Sequence, residues 1–227
     1  MHILSKSRFI RGLQCEKAMY LETYHKELAK VSPLTRIKFA EGRSFERTFK
    51  DTFPNGINID EELGWNVEEY PTLTSQLLQQ EGDVVLFEAG FQYKEVLVLA
   101  DVVHKQADGS IDVMEVKNSS TVKDVFRNDV YVQHYVISHA ISNLSSFRIV
   151  YRGADEEHPF AFLDLQEEAQ QHVSFIEENI ERFTQVLNRK QEPFVAMGDQ
   201  CDKPYECPFK EYCQQPHPIQ LALDLTL

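Results

Sequence analysis

Three successive β-rich runs occupy the middle of the chain and constrain its fold more than any other feature. They read DVVLFEAGFQY, EVLVLADVVHK and SIDVMEVKNS, at residues 83–93, 95–105 and 110–119. A loop containing Asp108-Gly109 joins the last two runs, and this dipeptide is a strong signal for a β-hairpin. The runs therefore predict a sheet whose neighbouring strands are connected by short turns.

Helices are predicted before this sheet. Ser5 or Ser7 can cap a short helix that ends at Gly12, and a second helix is predicted over 16–25. After Pro33, apolar residues recur at helical spacing and predict an amphipathic helix that the turn residues 54–56 close.

Alternating elements complete the chain. A short strand and a loop holding Trp65, the only tryptophan, are predicted over 57–70, and a helix over 71–80. Downstream we predict helices and strands in the order α, β, β, α, at residues 122–142, 147–153, 159–165 and 167–190. This order predicts an α/β (α+β) fold with a mixed central sheet flanked by helices.

The length of 227 residues suits a single domain. Within it we distinguish an N-terminal helical segment (1–33), a core (34–192) and a cysteine-rich C-terminal segment (193–227). No apolar stretch is long enough to cross a bilayer, and the first fifteen residues lack the continuous apolar run of a secretion signal. We therefore expect a cytoplasmic protein with no membrane partner.

Charge is distributed unevenly along the chain. The net charge is −13, yet residues 1–50 contain 11 Lys and Arg against 5 Asp and Glu, a balance of +6, which leaves −19 for the remainder. A basic N-terminal segment on an acidic body can guide an anionic polymer, although phosphate binding generally requires a broader basic face. The alternative is an ordinary solvated helical surface.

The runs at 95–105 and 110–119 place acidic residues among apolar neighbours. Asp101 follows a buried-strand pattern, and Glu115 and Lys117 lie two residues apart on the next strand, so both point to the same face. Closure of the hairpin brings Asp101 towards Glu115, and a divalent cation such as Mg²⁺ or Mn²⁺ relieves the repulsion between two close carboxylates. The alternative is a pair of surface acids with Lys117 as their salt-bridge partner.

Four cysteines form a second pattern. Cys201, Cys207 and Cys213 cluster near the C-terminus, and Cys15 lies near the opposite end. In a reducing compartment such thiols are metal ligands or free thiols more often than disulfides. A group bound by all four would join the two ends of the sequence.

Taken together, these residues resemble the PD-(D/E)XK nuclease superfamily in its RecB-like branch. The resemblance includes Glu46 in GRSFE, Asp101, the Glu115-Val116-Lys117 motif, and Gln133-His134-Tyr135, whose Q-x-Y spacing is shorter than the usual form. It implies Mg²⁺ or Mn²⁺ bound by Glu46, Asp101, Glu115 and the Val116 carbonyl. It also implies that Lys117 aligns the attacking water. Gln133 and Tyr135 could support the site by contacting Lys117, the water or DNA; the alternative is a core position for Tyr135 and a solvated Gln133.

The cysteines are similar to those of an iron–sulfur subgroup of this superfamily, which includes AddB-type helicase-nucleases and CRISPR adaptation exonucleases. One cysteine before the core and three after it hold a 4Fe–4S cluster there, which implies the ligands Cys15, Cys201, Cys207 and Cys213. The C-x₅-C-x₅-C spacing departs from the usual C-x₂-C-x₅-C. Zinc is the main rival, although structural zinc sites usually contain tighter knuckles.

The resemblance thus implies a metal-dependent DNA exonuclease that acts on single-stranded or frayed ends. A separate helicase or another DNA-processing protein would be its partner, since no ATP-binding loop is present. A catalytically inactive DNA- or protein-binding module of the same fold is the alternative, and an RNA nuclease would use the same chemistry. Phe9, Tyr20 and Tyr24 could stack bases, or could belong to the core.

Overall fold

The computed structural model describes residues 3–189 and 191–215. In this part of the chain the strands form one mixed seven-stranded sheet with flanking helices, which confirms the predicted fold class. The strands are β1 (Leu4–Ser5), β2 (Ile57–Asn58), β3 (Val84–Tyr93), β4 (Val96–Lys105), β5 (Ile111–Lys117), β6 (Leu144–Arg152) and β7 (Phe160–Asp164). The helices are α1 (Lys6–Gln14), α2 (Glu16–Tyr24), α3 (Pro33–Lys50), α4 (Ile59–Leu63), α5 (Tyr70–Leu78), α6 (Asp124–Ala140), α7 (Gln166–Gln171), α8 (Val173–Leu187) and α9 (Lys210–Cys213). None of them is long and apolar enough to span a bilayer.

The sheet follows the order β2-β3-β4-β5-β6-β7, and β1 pairs with β4. The β3–β4 and β4–β5 connections are antiparallel hairpins, and the second turns at Gly109, whose φ of +88° is readily available only to glycine. Strands β5 and β6 are parallel, and α6 connects them. This crossover places α6 against the sheet, as parallel neighbours require.

The two faces of the sheet carry separate hydrophobic clusters. Val103 and Val113 belong to the larger cluster, to which α1, α6 and α8 contribute, whereas their neighbours Val102 and Met114 pack with Phe49 of α3 on the other face. Successive strand residues point to opposite faces, so both faces draw on the same strands. The sheet is therefore buried between a helical layer and α3.

A fork opens between β4 and β5. Along one edge of β4, β1 pairs at Val96 and Leu97, whereas β5 pairs only from Val102 to Lys105. The register would place Asp101 opposite Glu115, but the ladder stops one residue earlier, at Val102 and Met114. The acidic residues of β4 and β5 thus lie where the two strands separate.

The β3–β4 ladder is irregular at the same level. Leu86 and Ala89 belong to one core cluster although they are three residues apart, and the intervening Glu88 has a φ of +54°. The register of the flanking pairs places Glu88 opposite Asp101, yet these two residues form no ladder pair. Positive φ at a non-glycine residue costs free energy and is concentrated at functional sites.

Some predicted boundaries were wrong. The first helix does not end at Gly12 but continues to Gln14. Gly12 does not terminate the helix; instead it allows α1 to pack closely on α8, because a Cβ there would lie 2.8 Å from the Phe183 ring. The stretch over 57–70 contains α4, which Asn58 caps and which is too short to show a helical period.

The long helix predicted over 167–190 is two helices. His172 separates α7 from α8, and its ring stacks on Tyr131 at a centroid distance of 4.1 Å. Residues 190 and 216–227, which include the predicted end of that helix and part of the C-terminal segment, lie outside the described residues.

Candidate functional site

The site is assembled at the fork between β4 and β5. The backbone N–H of Val116 donates to Oδ2 of Asp101 over 2.7 Å, so the Asp101 carboxylate replaces the strand partner that this N–H lacks. Glu115 is 2% exposed. Local strand geometry therefore presents both acids of the sequence motif at one opening of the sheet.

Three carboxylates from separate elements converge beside this fork. One oxygen each from Glu46 on α3, Glu88 on β3 and Asp101 on β4 lie within 4.8 Å of one another. In the described part of the chain no other group of three or more acidic, histidine or cysteine side chains meets this distance, and Glu115 is not a member of the group. Oxygen ligands at such spacing suit a hard divalent cation.

Glu115 is held by three donors. Lys6 Nζ lies 3.0 Å from both carboxylate oxygens, and Lys117 Nζ lies 2.7 Å from Oε1. Gln133 Nε2 donates to Oε2 over 2.7 Å, while its buried Oε1 has no hydrogen-bond partner among the described residues. Lys6 comes from α1 and Gln133 from α6, so the N-terminal segment and the crossover helix both fix this acid.

Two further contacts complete the charge network. Lys50 Nζ lies between Glu46 and Glu88, at 2.5 and 2.6 Å. Lys117 Nζ lies 2.5 Å from Asp129 Oδ2 on α6. The network therefore contains five carboxylates (Glu46, Glu88, Asp101, Glu115, Asp129) and three ammonium groups (Lys6, Lys50, Lys117), a difference of two negative charges when all are ionised.

The pKa of Asp101 is raised by its burial and by the negative charges nearby. Burial and the nearby Glu115 raise it to about 8, although Lys6 lowers it. Burial would raise the pKa of Glu115 as well, but Lys117 and Lys6 outweigh burial and lower it to about 2. At neutral pH, Glu115 is therefore ionised and Asp101 carries a proton, which a bound cation would displace.

The lysine of the motif stays charged in this setting. Burial lowers the pKa of Lys117, but Glu115 and Asp129 raise it well above the ordinary value. Its ammonium group also lies 5.5 Å from the centroid of the Phe126 ring. Lys117 is thus a fixed positive charge beside the acids.

The structure brings together most, but not all, of the residues singled out in the sequence. Tyr135 lies in the core, 2% exposed, where its hydroxyl donates to Glu177 and its ring contacts Tyr93 rather than the acids. Sequence patterns did not reveal Glu88, Lys6, Lys50 or Asp129. Glu88 could have been found by counting back from the β3–β4 turn, because that register places it opposite Asp101.

The aromatic residues of the N-terminal segment belong to the packing. Phe9 is fully buried and contacts Phe183 edge to face, and Tyr20 is 6% exposed. The hydroxyl of Tyr24 donates to the Leu187 carbonyl. These three residues take the core role that was the alternative to base stacking.

The four cysteines meet at one cavity at the end of α1. Cys15, Cys201, Cys207 and Cys213 all line it, and all four are free thiols. Burial raises the pKa of Cys207, and Cys15 and Cys201 raise it further; burial and the other three thiols raise the pKa of Cys213, although Lys17 opposes them. Four thiols around one cavity, two of them with a raised pKa, are a suitable ligand set for a positively charged group.

The spacing of the sulfur atoms bears on the identity of that group. No three of the four sulfurs lie within 4.8 Å of one another. Tetrahedral zinc, with Zn–S bonds of about 2.3 Å, requires sulfur separations of roughly 3.8 Å. The arrangement is therefore wider than a single-ion thiolate site.

Comparisons with known proteins do not identify a function. No family model matches the chain, and no curated protein matches it. One similar solved structure is described as "Crystal structure of SSO0001", with a TM-score of 0.43, 13% identity, and coverage of 92% of this chain and 85% of that one. A likeness of this degree carries no inference about function.

Proposed function

We propose that the chain is a divalent-metal-dependent DNA nuclease, acting as an exonuclease on single-stranded or frayed ends. The observation that carries the proposal is the convergence of Glu46, Glu88 and Asp101 within 4.8 Å, beside Lys117. The DNA substrate and the exonuclease mode come from the resemblance to the RecB-like nucleases.

The donor set fits Mg²⁺ or Mn²⁺. Glu46, Glu88 and Asp101 would hold the ion, with Glu115 and the Val116 carbonyl as the further ligands that the resemblance implies. Once Asp101 has lost its proton, the network's excess of two negative charges matches one dication. When bound, such a cation would supply polarisation of the phosphodiester and positive charge against the charge that develops on it.

The protein's own groups prepare the site for an anionic substrate. Lys117 keeps its proton because of its raised pKa, so it serves as a donor and positive charge towards a phosphate oxygen rather than as a proton acceptor. Asp129 and Glu115 fix its Nζ from two sides. Gln133 and Lys6 in turn hold Glu115, so the charged groups are preorganised before a strand arrives.

The thiol site fits a 4Fe–4S cluster better than zinc. Cys15, Cys201, Cys207 and Cys213 would be its ligands, and the wide sulfur spacing supports the larger group. Its role would be structural, because it would join α1 to the C-terminal segment. Anaerobically purified protein should show iron–sulfur absorption and about four iron atoms per chain; colourless protein with stoichiometric zinc would contradict this assignment.

The decisive experiment measures cleavage of end-labelled single- and double-stranded DNA with Mg²⁺, with Mn²⁺ and with EDTA. Lys117→Ala should lower the rate by about 100-fold or more. Lys123→Ala is the matched control, because Lys123 lies 5.6 Å from the centroid of the same Phe126 ring and forms no ion pair among the described residues. Cleavage in EDTA, or wild-type cleavage by Lys117→Ala, would refute the mechanism.

One contact favours a second candidate, a binding module without catalysis. Lys50 already bridges Glu46 and Glu88, as an ion pair would in a site that binds no metal. Such a module would bind DNA or a partner protein equally well in EDTA and would cleave no nucleic acid with either metal. A cleavage rate that rises with Mn²⁺ therefore separates the two candidates.

A further inference from the structure

Most of the eleven basic residues among residues 1–50 divide into two groups in the structure. Five of them form ion pairs with acidic side chains: Lys6, Arg11, Lys17, Lys30 and Lys50. Four others lie on α3, are exposed, and have no acidic partner within 4 Å among the described residues: Arg36, Lys38, Arg43 and Arg47. Within the described part of residues 1–50, six basic residues form no ion pair, and four of these six therefore lie on one helix; Arg8 and Lys26 are the other two.

Three of these four residues share a stripe with the acid site. Residues three, four and seven apart lie on one side of a helix, so Arg36, Phe39 and Arg43 follow one another along α3 and continue to Glu46. Arg47 is four residues from Arg43 and flanks the same stripe, whereas Lys38 lies on the other side. At 1.5 Å per residue, the stripe extends about 10 Å from Phe39 to Glu46.

Phe39 is the aromatic member of this stripe. It is 56% exposed, in contrast to Phe49 of the same helix, which is buried against the sheet. An exposed ring between two guanidinium groups offers a flat surface for a base while its neighbours bind phosphates. Packing against the described residues does not account for the exposure of this large apolar ring.

We propose that the stripe Arg36, Phe39, Arg43 and Arg47 guides one strand of DNA along α3 to the acid site. This inference rests on the proposed function, since it names the path of that site's substrate. Helix α3 carries five basic and two acidic residues on a chain of net charge −13, so a polyanion is attracted here and repelled elsewhere.

The chemistry of the stripe selects the kind of strand. Stacking on Phe39 requires an unpaired base, which favours a single strand over a duplex. The choice of DNA over RNA comes from the proposed function, because guanidinium donors can also donate to a ribose 2′-hydroxyl. A protein partner fits less well, because three guanidinium groups would need acidic counterparts.

The test measures binding of fluorescein-labelled oligo(dT) by anisotropy, in EDTA and over a range of salt concentrations. Arg43→Glu should weaken binding by about tenfold or more and reduce the steepness of the salt dependence by about 0.7 for each lost phosphate contact. Lys38→Glu makes the same change of charge on the other side of α3 and should leave the affinity unchanged. Phe39→Ala should weaken binding by about fivefold or more, and Ile37→Ala, which alters an equally exposed apolar side chain, should not.

The outcomes separate this inference from the proposed function. Equal losses in Arg43→Glu and Lys38→Glu, or no oligonucleotide binding by the wild type, would overturn the guide. If the wild type cleaves DNA with Mn²⁺ and the stripe variants bind the oligonucleotide normally, the guiding role of the stripe is refuted and the nuclease proposal is retained. Stripe-dependent binding without cleavage in any metal would support the guide and refute the nuclease.

Two further outcomes would also overturn the assignment. Stronger competition by oligo(rU) than by oligo(dT) would identify the guided strand as RNA. A change in oligomeric state caused by Phe39→Ala, with oligonucleotide binding unaffected, would identify the stripe as a protein interface.

Discussion

The raised pKa of Asp101 predicts how the free energy of unfolding of the metal-free protein depends on pH. Its pKa of about 8 in the folded state compares with about 3.9 in an unfolded chain. Between these values the folded state binds the additional proton, so stability falls as the pH rises through this window. Asp101→Asn removes the titration and retains a carbonyl oxygen that can accept from the Val116 N–H.

The difference between variant and wild type isolates this single group. Each pH unit contributes at most about 1.4 kcal/mol, and because Asp101 remains partly exposed we expect the stability advantage of Asp101→Asn to grow by about 2 kcal/mol from roughly pH 5 to pH 7. Other titrating groups are common to both proteins and cancel in this difference.

Urea denaturation in EDTA measures the effect, with Asp108→Asn as the control. Asp108 is exposed and its pKa is lowered by hydrogen bonds from Ser110, so its titration is complete below this pH window. Adding Mn²⁺ should stabilise the wild type more than Asp101→Asn, because only the former supplies the carboxylate. An advantage of Asp101→Asn that is the same at both pH values would refute the raised pKa and the charge argument built on it.

Three further predictions concern the packing, the ion pairs and the thiols. Gly12→Ala should destabilise the protein by about 1–3 kcal/mol in urea denaturation because its Cβ would meet the Phe183 ring, whereas Gly42→Ala, in open space, should stabilise it by about 0.5–1 kcal/mol; equal effects would contradict this packing. Lys6→Met should cost about 2–4 kcal/mol in the same assay at neutral pH, since Glu115 keeps its buried charge with one counterion fewer, and unchanged stability would contradict the pairing. Cys207→Ser should lower the iron content and visible absorption of anaerobically purified protein, and undiminished iron would remove Cys207 from the ligand set.

Local patterns predicted the elements of the sheet well. The turn signal at Asp108-Gly109 and the apolar runs placed β4 and β5 within a residue or two, and the register of that hairpin places Asp101 opposite Glu115. Each of these features depends on neighbours close in sequence. That is why they could be derived without the structure.

Residues that reach the site from distant elements were not predictable in this way. Lys6 reaches Glu115 across 109 positions of sequence, and it does so because β1 pairs beside the start of β4. Lys50 is one of five basic residues on the amphipathic helix α3, and Asp129 lies four residues before Gln133 with no pattern to mark it. Their roles depend on tertiary placement, for which a two-residue strand and isolated charges give no periodic signal.

Helix α1 connects the two candidate sites directly. Lys6 at its first position holds Glu115, and Cys15 follows its last position, so about 14 Å of rigid helix separates the acid network from the thiols. The C-terminal segment reaches back to α1, since Gln14 donates to the carbonyls of Gln200 and Tyr205.

Tyr205 is a second link between the thiol site and the acid site. Burial and the nearby Asp129 raise the pKa of its hydroxyl, whereas Lys117 lowers it, so this residue of the cysteine-rich segment lies within electrostatic range of the motif lysine. The acid site is therefore bordered on one side by α1 and on another by the cysteine-rich segment, which Gln14 joins to α1 by hydrogen bonds. A group bound by the four thiols would fix both borders at once, because neither can move without displacing a sulfur ligand. A group bound there would set the positions of Lys6 and Tyr205 while lying at a distance from the proposed metal site, which is a physical reason for a structural role.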